Sequence, residues 1–268
     1  MLFRLSTFAL VVVLCAIVGG GALIGVVIGR RMQGQSTEHL KEASAALQTT
    51  LLGFIGLLLA FGLSLAVGRY ETRRETVADE ANAIGTAYLR AQTLHEPMRT
   101  ASLGLIRRYT DARIAFNNAV PDSSAYDRAR RRSDALANRL WARAGEALNG
   151  DPTGSATRLY VETLNEMIDM DTTRQAALSN RIPALVMWLQ IFGSAVALGV
   201  LGFYLALSGR SLTAVLVATI VVILILFVSF DLDRPRRGFI KIPDTLLVST
   251  RATMNGPPAA TGPTASGR

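Results

Sequence analysis

The sequence predicts an all-α, polytopic membrane protein with four transmembrane helices and a helical insert between the second and third. Three observations carry this. The 268 residues are half hydrophobic, with a mean hydropathy of +0.32, more than a soluble domain of this size needs to fill its core. The apolar residues are gathered into four long runs. Most of the charge lies between the second and third runs, where residues 69–181 hold seventeen arginines and fifteen carboxylates. That insert is almost neutral, so the net charge of +8 arises mainly beside the ends of the apolar runs. A nucleic-acid partner would require a basic face on the soluble part, so membrane topology is the better account of the charge, with no nucleic acid expected.

The first run, Leu5 to Gly29, is interrupted only by Ser6 and Thr7. It exceeds the apolar region of a signal peptide and lacks a clean small-residue cleavage site, so it reads as a retained span. Gly21, Gly25 and Gly29 fall on one helical face and offer a smooth surface for close helix packing. Cys15 is the single cysteine, which excludes an intramolecular disulfide. Residues 31–50 form a short polar connection, helical from about Thr37, in which His39 has no neighbour at metal-ligand spacing.

The second run, Leu51 to Gly68, has eighteen uncharged residues, about 27 Å of helix and close to one bilayer core. It passes into Arg69-Tyr70-Glu71 with no turn to stop it, and Val77, Ala81, Ile84 and Tyr88 then keep the spacing of one buried helical face. A membrane helix that continues into an aqueous amphipathic helix couples the two environments. Within the span Gly56, Ala60 and Ser64 form a small-residue stripe, a second packing candidate, while Phe54, Leu58 and Phe61 are bulky and close to one face. Packing against neighbouring helices and lining a pore with an apolar constriction are both open readings. Arg69, Arg73 and Arg74 stand at the end of the span, as interfacial anchors or as the charged mouth of a pore.

The insert, residues 69–182, reads as four helices broken near Leu94–Pro97, Asn118–Asp122 and Asn149–Gly154, with Asp122 or Ser123 available to cap the third. Arg128, Arg130, Arg131 and Arg132 invite a phosphate or lipid-headgroup reading, but with Asp127 and Asp134 within pairing reach a solvated surface is the expectation. Residues 183–230 form a transmembrane hairpin whose two helices are joined by the turn Ser208-Gly209-Arg210-Ser211. Residues 231–250 form a charged juxtamembrane segment beginning Asp231-Leu232-Asp233-Arg234-Pro235-Arg236, and 251–268 read as a disordered tail rich in glycine and proline. Ten basic residues near the membrane on the side of the insert and termini, against four on the other, favour a cytoplasmic insert and cytoplasmic termini.

Two spans, a helical insert and two more spans is the protomer plan of the bestrophin channels. The sequence resembles a bestrophin-like group of bacterial membrane proteins in Arg69-Tyr70-Glu71, in Glu80 to Arg90, in Leu105 to Tyr109, in Arg181-Ile182-Pro183 with Trp188, and in Asp231 to Pro235 with Gly238. The resemblance implies a homo-oligomer, most simply a pentamer, in the bacterial inner membrane. The second spans would surround a path for monovalent anions, and lipid and other copies of the chain would be its partners. Relatives bind calcium with acidic residues after the fourth span, where Asp231 and Asp233 stand here. Phe239-Ile240-Lys241 replaces the further carboxylates, however, so a collar of charge pairs with Arg234 and Arg236, and no metal, is the expectation. Two histidines, one cysteine and no phosphate loop leave little chemistry to assign, so neither an enzyme nor a cofactor is expected. The competing reading is a membrane-anchored sensor or scaffold whose insert binds a cytoplasmic partner.

Overall fold

The computed structural model describes residues 6–35, 38–234, 236 and 238–256. Among these, all regular structure is helical, in one short 3-10 turn (Gln33–Gln35) and eight helices: α1 (Thr7–Met32), α2 (Glu38–Ala91), α3 (Met98–Asn118), α4 (Ser124–Gly150), α5 (Ser155–Ser179), α6 (Ala184–Leu207), α7 (Thr213–Leu232) and α8 (Thr245–Thr253). Four of them are long and apolar enough to cross a membrane: α1, α2, α6 and α7. The polar connection expected before the second span belongs to that helix, because nothing between Glu38 and Leu51 breaks it. At 54 residues, α2 is about 80 Å long.

The chain divides into two compact units, Met1–Tyr70 with Arg181–Lys241, and Glu71–Asn180 with Ile242–Arg268. In the first, α1 and α6 meet backbone to backbone. A Cβ at Gly21, Gly25 or Gly29 would lie 2.6, 1.8 or 2.5 Å from the carbonyl oxygens of Ala195, Gly199 and Phe203. Leu10 and Leu14 of α1, Ile55 and Leu59 of α2, Ile191 and Leu198 of α6, and Leu226 and Phe230 of α7 complete this core. The α6–α7 turn closes at Gly209, whose φ of 65° favours a residue without Cβ. Cys15 lies in a π-helical turn of α1 and is exposed within the chain.

The second unit packs Val77, Ala81, Ile84 and Tyr88 of α2 against Ile106, Tyr109 and Ala112 of α3, Leu136 and Leu140 of α4, and Tyr160, Leu164 and Met167 of α5. Ser123 caps α4 by accepting from the Tyr126 N–H, and Asp122 instead takes a positive φ. The expected disorder from residue 251 is corrected at its start. Thr245–Thr253 is helical, Arg251 pairs with Asp111, and the buried Met254 accepts a hydrogen bond on its carbonyl from the Tyr88 hydroxyl at 3.0 Å. Residues 257–268 lie outside the described residues.

Candidate functional site

The membrane segment of α2 has two unlike faces. Ile55, Leu59 and Ala66 are buried in the core of the first unit. On the opposite side Phe54 and Phe61 are 55% and 60% exposed, and Leu57 and Leu65 accompany them. Leu58 differs from the two phenylalanines. It is half-buried against the core, and its carbonyl accepts a hydrogen bond from Gln190 of α6. Gly56, Ala60 and Ser64 are exposed, and no atom lies within 4 Å of a Cβ built on Gly56. The small stripe of α1 is therefore consumed within the chain, and that of α2 is open.

The three arginines after the span separate. Arg74 is exposed and pairs with Glu71 at 3.5 Å, and Arg69 is half-buried. Arg73 is 1% exposed. Its guanidinium donates to the carbonyl oxygens of Ala177 at 3.2 Å and Asn180 at 2.7 Å, satisfying the end of α5 where the last helical carbonyls lack intrahelical partners. Arg73 is thus a staple in the second unit, and its place at a pore mouth is corrected: its spacing from Val77 puts it on the buried face.

A buried charge network lies deeper in the second unit. Glu80 of α2 accepts from Arg113 of α3 on one carboxylate oxygen and from Arg174 of α5 on the other. Arg113 also donates to Asp171, and Arg174 to the side-chain Oδ1 of Asn117. The Phe116 ring faces both guanidinium groups, at 4.9 Å from Arg113 and 5.8 Å from Arg174. Burial works against the charge on Arg113, but the field of Glu80, then those of Tyr109 and Asp171, more than offset it and raise its pKa. Burial prevails at Arg174, which is lowered, and it pushes the Tyr109 hydroxyl up. Sequence reasoning missed this network, although a signal was present. Glu80 lies between Val77 and Ile84, and Arg113 between Tyr109 and Phe116, each on the buried face of its helix.

The arginine run on α4 is exposed at all four positions. Arg130 donates to Gln175, whereas Arg128, Arg131 and Arg132 have no side-chain partner among the described residues.

At the C-terminal end of α7, Asp231 in its last turn and Asp233 at its cap are fully buried and bind main chain. The Asp231 oxygens accept from the N–H groups of Phe239 at 3.1 Å and Ile240 at 2.9 Å, and Asp233 Oδ2 accepts from Ile182 N–H at 2.9 Å. A Cβ at Gly238 would lie 2.5 Å from the Asp231 carboxylate, so the glycine admits the close approach. Arg234 and Arg236 are buried as well. The collar of charge pairs is corrected for Asp231, which takes no arginine among the described residues. Three carboxylate oxygens already used as N–H acceptors do not fit a calcium ion, which requires six to eight oxygen ligands. Among the described residues no three His, Cys, Asp or Glu side chains gather as a metal site.

Four bilayer-length helices, one running on into a second helical unit, define a polytopic helical membrane protein. Residues 15–247 match the Bestrophin-like domain, and the chain belongs to the bestrophin-like family. Its structure is similar to that of a bacterial bestrophin homologue from Klebsiella pneumoniae, solved in two mutant forms. One has 13% identity and a TM-score of 0.65 over 88% of this chain and 97% of that one. The other has 14% identity and a TM-score of 0.64 over 89% and 97%. A further solved membrane protein is similar at 11% identity and a TM-score of 0.62, over 88% and 97%. At these identities the likeness is one of fold. No curated protein matches the sequence.

Proposed function

We propose that this chain is the subunit of a homo-oligomeric, anion-conducting channel in the bacterial inner membrane, with the membrane segments of α2 surrounding the ion path. The observation that carries this reading is α2 itself. It is one unbroken helix whose exposed apolar face, Phe54 and Phe61 foremost, runs on into a charged helical segment. The other spans can leave apolar surface to lipid, but α2 alone also enters the second unit. Family membership supplies the class, and a pentamer is the assembly we expect from it.

In a ring of such helices, Phe54 and Phe61 narrow the path and hold water out, and Leu58 braces them from the half-buried flank. The exposed Arg74, with Arg69, concentrates monovalent anions at the end of the span. The insert and termini are cytoplasmic by the arginine asymmetry. The chain needs no catalytic group or cofactor for this work.

Anion flux into liposomes containing the purified, assembled protein tests the reading. Phe61→Ala should raise flux several-fold with little change in selectivity, and Arg74→Glu should lower anion preference. A protein that is monomeric or dimeric in detergent and in bilayers, and carries no current, is instead a membrane-anchored scaffold. Reporter fusions after residue 150 and within residues 208–211 should give opposite signals, and a cytoplasmic signal from the 208–211 turn would reverse the topology.

A further inference from the structure

Gln190 lies in the second turn of α6 and is 2% exposed, one of a small set of buried polar side chains, Ser194, Ser229, Asp231 and Asp233 among them, in a unit whose core is mainly aliphatic and aromatic. Its Nε2 donates to the Leu58 carbonyl oxygen of α2 at 2.9 Å. In an α-helix that carbonyl already accepts from the N–H four residues on, at Gly62, so the amide takes its remaining lone pair. A Cβ on Gly62 would fall 1.7 Å from Gln190 Nε2 and 2.7 Å from its Cδ. The missing side chain of Gly62 is therefore the space the glutamine amide fills.

Two features make this more than packing. Gln190 Oε1 is buried and has no hydrogen-bond partner among the described residues, a cost that an aliphatic side chain of similar volume would avoid. The bond also has a particular place. Leu58 and Gly62 bracket Phe61, so the amide grips α2 on the side away from its exposed face. Apolar helices in a bilayer slide and rotate against one another at little cost, since no water is excluded by a particular setting. A hydrogen bond to one backbone carbonyl selects one setting.

We propose that Gln190 is a latch: it holds the membrane segment of α2 in one rotational setting and thereby positions Phe61. The second half rests on the channel reading, whereas the latch itself does not. Gln190 is a positioning residue and has no contact with a permeating ion. Release of the latch lets the bulky face turn, and the constriction loosens.

The test is hydrogen–deuterium exchange of the full-length protein in lipid nanodiscs, read as protection factors for the amides of residues 56–66. Gly62→Ala expels the amide without altering Gln190, and Gln190→Leu removes it without altering α2. Each should lower protection by about 3- to 30-fold, the range of a hydrogen bond between membrane helices. The double variant should be no worse than the more affected single, because both remove one interaction. Gln190→Glu adds a readout that packing would not move. Its carboxyl can donate when protonated and not when ionised, so protection becomes pH-dependent where the wild type is flat. Unchanged protection in both single variants of assembled protein, additive losses in the double variant, or a pH-independent Gln190→Glu would overturn the latch. Flux separates the two levels. If wild type conducts, the latch variants should raise flux at least twofold with assembly intact, and unchanged flux would overturn the positioning of Phe61. If wild type does not conduct, the channel reading falls and exchange alone decides the latch.

Discussion

The two units of the chain solve helix packing by opposite means. In the first, α1 and α6 approach until glycine faces backbone, at Gly21, Gly25 and Gly29 against Ala195, Gly199 and Phe203. In the second, large aromatic and aliphatic side chains fill the core, and two arginines close on one carboxylate at its centre. The difference follows from the solvent. Lipid provides no hydrophobic drive between helices, so dispersion between closely approaching backbones must hold them, and small residues permit that approach. Water drives apolar burial generally but leaves many arrangements of similar apolar area. A shared carboxylate has one productive geometry, and it fixes how α2, α3 and α5 register.

The largest expected effect is in the second unit. Glu80→Ala leaves Arg113 and Arg174 buried without their shared counter-charge, a loss of about 3–5 kcal/mol that thermal unfolding of the purified protein should register as a large drop in Tm. Replacing Glu80, Arg113 and Arg174 together with apolar residues of similar volume should recover most of it, and failure to recover would mean the network contributes more than register.

In the first unit Gly25→Ala should cost about 1–3 kcal/mol, because the added methyl meets the Gly199 backbone rather than a movable side-chain end. Gly56→Leu offers the contrast within the same unit. No atom of the described residues lies within 4 Å of a Cβ at this position, so the substitution should leave protomer stability unchanged and act on assembly, as read by native mass spectrometry. Equal loss of protomer stability in the two variants would erase the distinction between the closed and open stripes.

Asp231→Asn should cost about 1.5–3 kcal/mol by weakening its charge-assisted bonds to Phe239 and Ile240. Calcium should not alter the Tm of the wild type. A calcium-dependent rise, abolished in Asp233→Asn, would show that the carboxylates can leave the main chain for a metal. The smallest effect on stability belongs to Arg74→Glu, within about 0.5 kcal/mol for an exposed pair, although it should change ion preference. Arg73→Glu should do the reverse and unfold the end of α5, since its guanidinium holds the Ala177 and Asn180 carbonyls.

Local pattern was enough for several parts of this protein. The hydropathy runs located the four spans, and the 3.6-residue period put Val77, Ala81, Ile84 and Tyr88 on the buried face of α2. The Gly-Pro break near residue 152 and the turn at Gly209 announced themselves by residue type. The stripe of Gly21, Gly25 and Gly29 announced a close contact without naming the partner. Only the tertiary structure decided that α6 fills that stripe, that Arg73 turns inward, that Glu80 meets Arg174 from 94 residues away, and that Met254 returns to Tyr88. Periodicity reports the face of a residue, because helix geometry is set by near neighbours. The identity of what lies opposite is set by packing between segments distant in the chain, and it leaves no mark at fixed spacing.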